Sequence, residues 1–545
     1  MTLEAALVDV VEAICDAVPE REAVVVGDRR LTFADIRDRS RRLATGLRAH
    51  GLGCRVERDQ LAAHESGQSH VGLYLHNGPE FLEGLVGAAG ARAVGVNVNY
   101  RYVSDELTAL LTDARAEALI FHAALAPVVA EVRDRVPTLR LLLQVADASA
   151  EPLLTDAVDY ESFLAAHQPE PNPDVRGDDL YIAYTGGTTG LPRGVMWRQA
   201  DMYMAGLGGS DPADGREKAD LAEVADAARS DRIFPYLISA PLMHAAGLWI
   251  AFLAWSAGNP VLLSPVTDRL DAEALLSTAE RERAAFTTLV GNAFAQPLID
   301  ELDRRPYDLS ALRFLSTGGA AMTEQMKAEL LKRLPNVRII DVVGASETGA
   351  QGRHVSGGTN IASGRFEPGP GTCVLSDDLS GVLEPGDDET GWLARSGRIP
   401  LGYLGDPEKT AATFPEVAGV RYVVPGDRAR VDADGAIVLL GRDSACINTG
   451  GEKVWAEEVE DAVGSHPGVA DVIVVGRPSP RWGSEVVAVV ACNAELDLDE
   501  IRQHVRGSLA GYKVPKAFVV VAKVERGPNG KADRRWAADV AAADG

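Results

Sequence analysis

The chain has 545 residues, of which 46% are hydrophobic and 24% charged, with a mean hydropathy of −0.03. This is the composition of a soluble globular protein with apolar residues enough for roughly three to four domain-sized units. A formal net charge of −25 argues against a nucleic-acid partner and against broad electrostatic docking on anionic membranes.

The five cysteines, Cys15, Cys54, Cys373, Cys446 and Cys492, are scattered, with no Cys-x-x-Cys pair and no metal-ligand spacing; they read as free thiols in a reducing compartment. The first residues lack a basic stretch followed by an apolar core, and no uncharged apolar run reaches the roughly 18 residues of a spanning helix. The expectation is a cytoplasmic protein without an integral membrane segment.

Near the start, Ala23–Gly27 reads as a strand. Thr32 with Asp35 three positions on predicts a capped amphipathic helix that ends near Gly51, with Arg37, Arg39, Arg41 and Arg42 on a solvated face. A polar loop spans 57–68. Val71–Leu75, a helix over 79–92 and Val94–Val98 follow in strand–helix–strand order, which recurs at Ala118–Phe121 and Leu139–Leu143. Repeated βαβ units imply largely parallel sheets covered by helices.

The apolar strand Leu180–Tyr184 opens into Thr185-Gly-Gly-Thr-Thr-Gly-Leu-Pro-Arg-Gly194. Uncovered backbone N–H groups, hydroxyls and a cation there suit a polyphosphate. No Gly-Lys-Ser/Thr follows at the spacing of the usual P-loop, and a plain Gly/Thr linker is the other reading. Residues 205–231, poor in large apolar side chains, read as an exposed, mobile insertion, either a lid or a surface excursion. Alternation then resumes through Leu237-Ile238, a helix at 247–255, Pro260–Leu263 and Thr287–Val290. Phe314–Ala320 and Ile339–Gly349 are strands ending in glycine turns, and ligands bind at such strand ends in parallel sheets. From about Gly391 short alternating segments imply a β-rich subdomain, and the last hundred or so residues form a further unit.

Several turn residues could do chemistry. Glu347, in a Gly-flanked turn after a strand, suits a carboxylate holding Mg²⁺ beside phosphate, or it is merely solvated. Asp427 could accept hydrogen bonds from ribose hydroxyls or cap its turn, and Arg442 could assist it or anchor the linker. Lys531, on a turn near the C-terminus, could reach a carboxylate or phosphate or simply stay wet. His244, among apolar neighbours, is a packed core histidine unless it lines a site.

In this order the motifs resemble the adenylate-forming superfamily of acyl-CoA synthetases, luciferases and peptide-synthetase adenylation domains. They are the Thr/Gly loop, Pro241–His244, Ser316–Ala320, Gly344–Glu347, Gly402-Tyr403 with Pro407–Thr410, Gly426-Asp427, Gly441-Arg442, Gly450–Glu452 with Glu458–Glu460, and Gly530-Lys531. The resemblance covers nearly the whole length. It implies an α/β fold: a large N-terminal domain of βαβ-type subdomains plus a β-rich subdomain (1–441), and a small mobile α+β C-terminal domain (442–545) with a hinge near 442–444.

By that resemblance Thr185, Thr188, Thr189 and Gly190 line the phosphates with Arg193 assisting, Gly319, Ala320 and the segment before Gly344 hold adenine, and Gly187 and Ser346 are further cofactor-binding positions. Glu347 binds Mg²⁺, Asp427 and Arg442 bind ribose, and Lys531 bridges the carboxylate and the α-phosphate. His244 stands where the thiol tunnel meets the acyl pocket, and Gly450 and Gly451 line the pantetheine path. Three positions depart from the pattern: Arg193 stands where lysine is usual, Val343 where an aromatic commonly stacks on adenine, and Ser444 at the hinge.

The implied activity is an ATP- and Mg²⁺-dependent ligase joining a carboxylic acid to CoA through an acyl-adenylate. Gly51–Arg55, Leu75–Gly78, Asn97–Tyr102, Gly194–Arg198 and Cys446–Lys453 are similar to bacterial CoA ligases for long-chain and steroid side-chain acids. The apolar stretches 237–253 and 290–294 suit a hydrophobic acyl pocket, or ordinary core. A carrier-loading acyl-AMP ligase and a non-catalytic acyl- or nucleotide-binding relative are the alternatives, and a homodimer is left open as the assembly.

Overall fold

The computed structural model describes residues 3–172, 174–185, 192–211, 215–320, 322–358, 360–442, 445–449, 452–479, 483–493, 497–509, 511–527 and 530–544. Three sheets organise it. The chain order strand–helix–strand over Val94–Asn97, His70–Tyr74, Ala116–His122 and Leu141–Val145 gives parallel pairing throughout, the outcome of joining strands through helices. Leu180–Thr185 joins beside Val94–Asn97, and Arg193–Arg198 folds back against it antiparallel. These strands belong to an eight-stranded sheet.

A second sheet of 15 strands starts at the edge strand Arg29–Thr32, antiparallel to Glu22–Val26, and from there runs parallel through Val261–Leu263, Tyr236–Ile238, Phe286–Leu289, Phe314–Gly318 and Arg338–Ala345. Past that point it turns antiparallel, because Arg338–Ala345 runs straight into the hairpin partner Gly349–Ser356. The β-rich part is continuous with this sheet and is already under way at Arg365–Pro368 and Thr372–Leu375, earlier than the composition change near Gly391 indicates. The third sheet has five strands from Cys446 onward and carries its own apolar clusters, one of valines from 454 to 514 and one under the helix Arg534–Ala543.

Two local expectations are corrected. Residues 221–228 form a helix capped by Asp220, whose Val224 and Ala228 are buried against the helix Leu7–Ala17; small apolar residues at helical spacing bury a face without any large side chain. The arginines of Phe33–Ala49 are not a solvated face. Arg39 reaches the fully buried Glu83 at 2.8 Å, Arg41 pairs with Glu12 at 2.7 Å, and Arg42 with Asp38 at 2.6 Å. The Thr32–Asp35 capping box forms as read. Among the described residues no helix is long and apolar enough to cross a membrane.

Candidate active site

The ends of the strands in the first two sheets and the turn carrying Lys531 open on one cavity of about 2950 Å³. Each functional side chain is placed there by a backbone relation. Asp427 begins the strand Asp427–Val431 and Arg442 ends Ile437–Arg442; the antiparallel register sets them opposite each other. The Arg442 guanidinium donates to the Asp427 carboxylate at 3.1 Å, and that neighbour holds the arginine above its ordinary pKa.

Glu347 sits in the turn between Arg338–Ala345 and Gly349–Ser356. Tyr403, paired through its backbone with Val195, donates its hydroxyl to Glu347 at 3.0 Å. The adjacent Ser346 is buried, and its carbonyl accepts from the Trp197 indole at 2.8 Å. Residues of the eight-stranded sheet thus hold both the glutamate's carboxylate and the backbone just before it.

Lys531 enters from the C-terminal sheet on a turn at Gly530, whose φ of +77° favours glycine. Gly530 packs beside Val290 and Ala293. The lysine is open to the water of the cleft, yet the cleft walls lower its pKa by desolvation; Arg442 adds to the lowering, while Glu347 and Asp427 oppose it. His244 caps the helix Ala245–Ser256. Desolvation first, and then the Lys531 and Arg101 charges, push its pKa down to about 4, so the ring is neutral near pH 7. Its Nε2 is buried without a hydrogen-bond partner in the cavity wall.

Gly319, with φ +79°, and Ala320 turn the chain at the end of Phe314–Gly318 and line the same cavity. Thr185 ends its strand opposite Arg193. Arg193 lines the cavity and is ion-paired with Asp406, a partner the sequence reading does not assign to it. Val343 lines the cavity where the resemblance leads one to look for an aromatic. Gly187, Thr188, Thr189, Gly190, Ser444, Gly450 and Gly451 lie outside the described residues. The structure therefore brings Lys531, Glu347, Asp427, Arg442, His244, Thr185, Arg193, Gly319, Ala320 and Ser346 around one space.

Four contributors escape residue-by-residue reading. Tyr403 and Trp197 fix the Glu347 turn. Asn97 and Asn77, at the ends of neighbouring strands, hold the loop before His244: Asn97 donates to the Met243 carbonyl at 2.7 Å and Asn77 accepts from Leu242 N–H at 2.7 Å. Asn77 and Asn97 both fall within stretches that carry the ligase resemblance, the one available signal for them. Glu347 fits Mg²⁺, which is commonly held by one or two carboxylates together with substrate phosphates. No cluster of three or more ligating side chains exists among the described residues.

A family model for AMP-binding enzymes matches residues 11–399, and one for the AMP-binding enzyme C-terminal domain matches 458–531. The chain belongs to the AMP-binding enzyme family and is an adenylate-forming ligase. It is 50% identical to the medium-chain acyl-CoA ligase Mig of Mycobacterium avium, covering 98% of this chain and 97% of that one. It is 39% identical to a medium/long-chain-fatty-acid–CoA/3-oxocholest-4-en-26-oate–CoA ligase of Mycobacterium tuberculosis, over 97% of this chain and 95% of that one. The crystal structure of the anthranilate CoA ligase AuaEII in complex with anthranoyl-AMP shares the fold, with a TM-score of 0.82, 22% identity and coverage of 100% and 99%.

Proposed function

We propose that this chain is an ATP-dependent acyl-CoA ligase that activates a hydrophobic carboxylic acid, a fatty acid or a steroid side-chain acid, as its acyl-adenylate and passes the acyl group to CoA. The observation that carries this reading is the gathering of Lys531, Glu347 and the Asp427–Arg442 pair at one cavity whose walls include Trp249, Ile250, Leu253, Phe286 and Phe314. A cavity lined by both charged and apolar side chains suits an amphiphilic acid meeting a nucleotide. The names of the relatives support the same class.

In the first half-reaction a carboxylate oxygen bonds to the α-phosphorus of ATP and the bond to the β-phosphate oxygen breaks, releasing pyrophosphate. Two anions must approach, so a preorganised cation is the main requirement. Lys531 supplies it between the carboxylate and the α-phosphate, and Arg193 with Thr185, Gly187, Thr188, Thr189 and Gly190 faces the other phosphates. Asp427 and Arg442 hold the ribose, and Gly319, Ala320 and the segment before Gly344 border the base. Bound Mg²⁺, held by Glu347, would offset the phosphate charge. In the second half-reaction the CoA sulfur bonds to the acyl carbon, the thiol gives up its proton and AMP leaves. Neutral His244 then borders the incoming thiol, with Gly450 and Gly451 along its path. For that step the unit 442–545 turns about 442–444, withdrawing Lys531 from the domain 1–441.

The test is to incubate the protein with ATP, Mg²⁺, CoA and a panel of fatty, aromatic and sterol side-chain acids, following pyrophosphate and thioester by mass spectrometry. Thioester is the expected product. Adenylate without thioester would favour carrier loading, and no pyrophosphate with any acid would refute the reading. Lys531→Ala should lower ATP–pyrophosphate exchange about 10²–10³-fold while sparing thioester formation from preformed acyl-adenylate. An equal loss in both halves would remove Lys531 from its assigned role.

A further inference from the structure

In the parallel part of the large sheet, Tyr236 opposes Phe286, Phe286 opposes Phe314, and Thr288, Ser316 and Ile340 lie abreast two residues further on. Side chains alternate along a strand, so these rows share one face, followed by Gly318 beside Val342. The opposite face, with Leu237, Leu289, Leu315 and Ile339, is buried in the cluster formed with the helices Ala272–Arg281, Gly291–Arg304 and Glu324–Arg333. The first face instead fronts the cavity.

The far row is a bar of rings. Tyr236 and Phe286 stack with centroids 4.5 Å apart at 23°, and Phe286 meets Phe314 at 6.5 Å. It lies at the start of the strands, at the opposite end from the Gly319–Ala320 turn. Between the bar and that turn the wall is made of side chains smaller than the rings, Thr288 and Ser316 with Ile340 beside them. The Thr288 hydroxyl accepts from the N–H groups of Ser239 at 2.9 Å and Ala240 at 3.1 Å. Across the gap stands the helix Ala245–Ser256 with Ile250, Leu253 and Trp249, the last tied to the Tyr181 hydroxyl at 3.0 Å.

We infer that the bar Tyr236–Phe286–Phe314 is the floor of the acyl site and limits the length of the acid. From Gly318 back to Phe314 is four residues, about 13 Å at the rise of a parallel strand. An extended alkyl chain built of bonds of about 1.5 Å advances roughly 1.3 Å per carbon, so this depth holds about ten carbons. The substrate class is therefore straight medium-chain acids of about ten to twelve carbons, ahead of long-chain and sterol acids. The inference rests on the acyl-CoA ligase reading and narrows it.

The test is kcat/KM for thioester formation with straight-chain acids of six to eighteen carbons and a sterol side-chain acid. It uses the wild type, Phe286→Ala, which opens the floor, and Ser316→Leu, which raises it. In the wild type the optimum is expected near ten to twelve carbons. Since each methylene gained or refused in an apolar pocket changes the rate about tenfold or more, Phe286→Ala should raise the hexadecanoate-to-decanoate ratio at least about tenfold. Ser316→Leu should move the optimum to shorter acids, in the opposite direction. A loss of fold cannot move the optimum in opposite directions. An unchanged profile in Ser316→Leu, or a wild-type optimum on sixteen to eighteen carbons or on the sterol acid, overturns the floor and leaves the ligase reading standing. Absence of thioester from every acid with the wild type defeats the ligase reading itself.

Discussion

Lys327 has no exposed side-chain surface, yet it lies in a helix, Glu324–Arg333, whose composition reads as solvated. Its ammonium is 3.0 Å from Asp341 and donates to the Ala362 carbonyl at 2.5 Å and the Ser363 hydroxyl at 2.9 Å. Burial pushes the Asp341 carboxyl up, and the Lys327 ammonium opposes that shift. Removing one member of such a pair strands the other, which costs about 3–5 kcal/mol, whereas replacing both by apolar groups is often neutral. We expect Lys327→Met to lower the unfolding free energy read from denaturant titration by that much, and Lys327→Met with Asp341→Leu to recover most of it. A double variant no better than the single one would show that the pair contributes stability of its own. Tyr403 acts differently, through the chemistry. Tyr403→Phe removes a hydroxyl that donates to Glu347, and should raise the Mg²⁺ concentration needed for half-maximal pyrophosphate exchange with little change in stability. A changed melting temperature with an unchanged Mg²⁺ titration would place its role in packing alone. Glu347 stands out in sequence because it sits between glycines. Lys327 does not, because a buried lysine and a solvated one look alike until the partner strand is known.

The loop Ala240–His244 depends on its neighbours more than on itself. Asn77 donates to the Ala240 carbonyl at 3.2 Å and accepts from Leu242, while Asn97 bridges Tyr184 and Met243. Thr288 holds Ser239 and Ala240 from the other sheet. The loop is therefore a rivet between the two large sheets, and it ends at the cavity histidine. Asn97→Ala leaves buried carbonyls and the Tyr184 N–H without this partner, a loss of about 1–3 kcal/mol. We expect KM for the acid to rise with a smaller effect on ATP binding, since the displaced element carries His244. Equal shifts in both would point to global loosening. Elements with strong local signals were readable in the sequence: the capped helix after Thr32, the strand before the Gly/Thr loop and the turn at Gly319 form, while Gly344 itself stays in the strand Arg338–Ala345 and the turn follows at 346–348. Elements whose faces are decided by distant partners were not. Arg39 and Arg41 of Phe33–Ala49 look solvated until Glu83 and Glu12 are placed opposite them, and Leu221–Ala228 looks like surface until the N-terminal helix covers it.

At the scale of the whole molecule, the eight-stranded sheet carries a pH dependence that charge composition does not reveal. His70 is buried at the start of one strand between the Ala114 carbonyl and the Ser66 hydroxyl. His122 is buried at the end of the next, where its Nδ1 accepts from His76 N–H at 3.0 Å. Desolvation, the largest cause in both, pushes each pKa down to about 4, against an ordinary value of about 6.5. Between those values the unfolded chain binds protons that the folded one refuses, so stability rises with pH across the window and is lost as pH falls through it. From pH 7.5 to 5 each histidine should remove about 2 kcal/mol, well before most carboxylates titrate. Urea unfolding at intervals across that range should show the midpoint falling, and His122→Gln should flatten the curve by one histidine's share, because the glutamine oxygen can still accept from His76 without taking up a proton. A variant that lowers stability equally at every pH would show that packing around position 122, rather than its proton, sets the acid sensitivity of the fold.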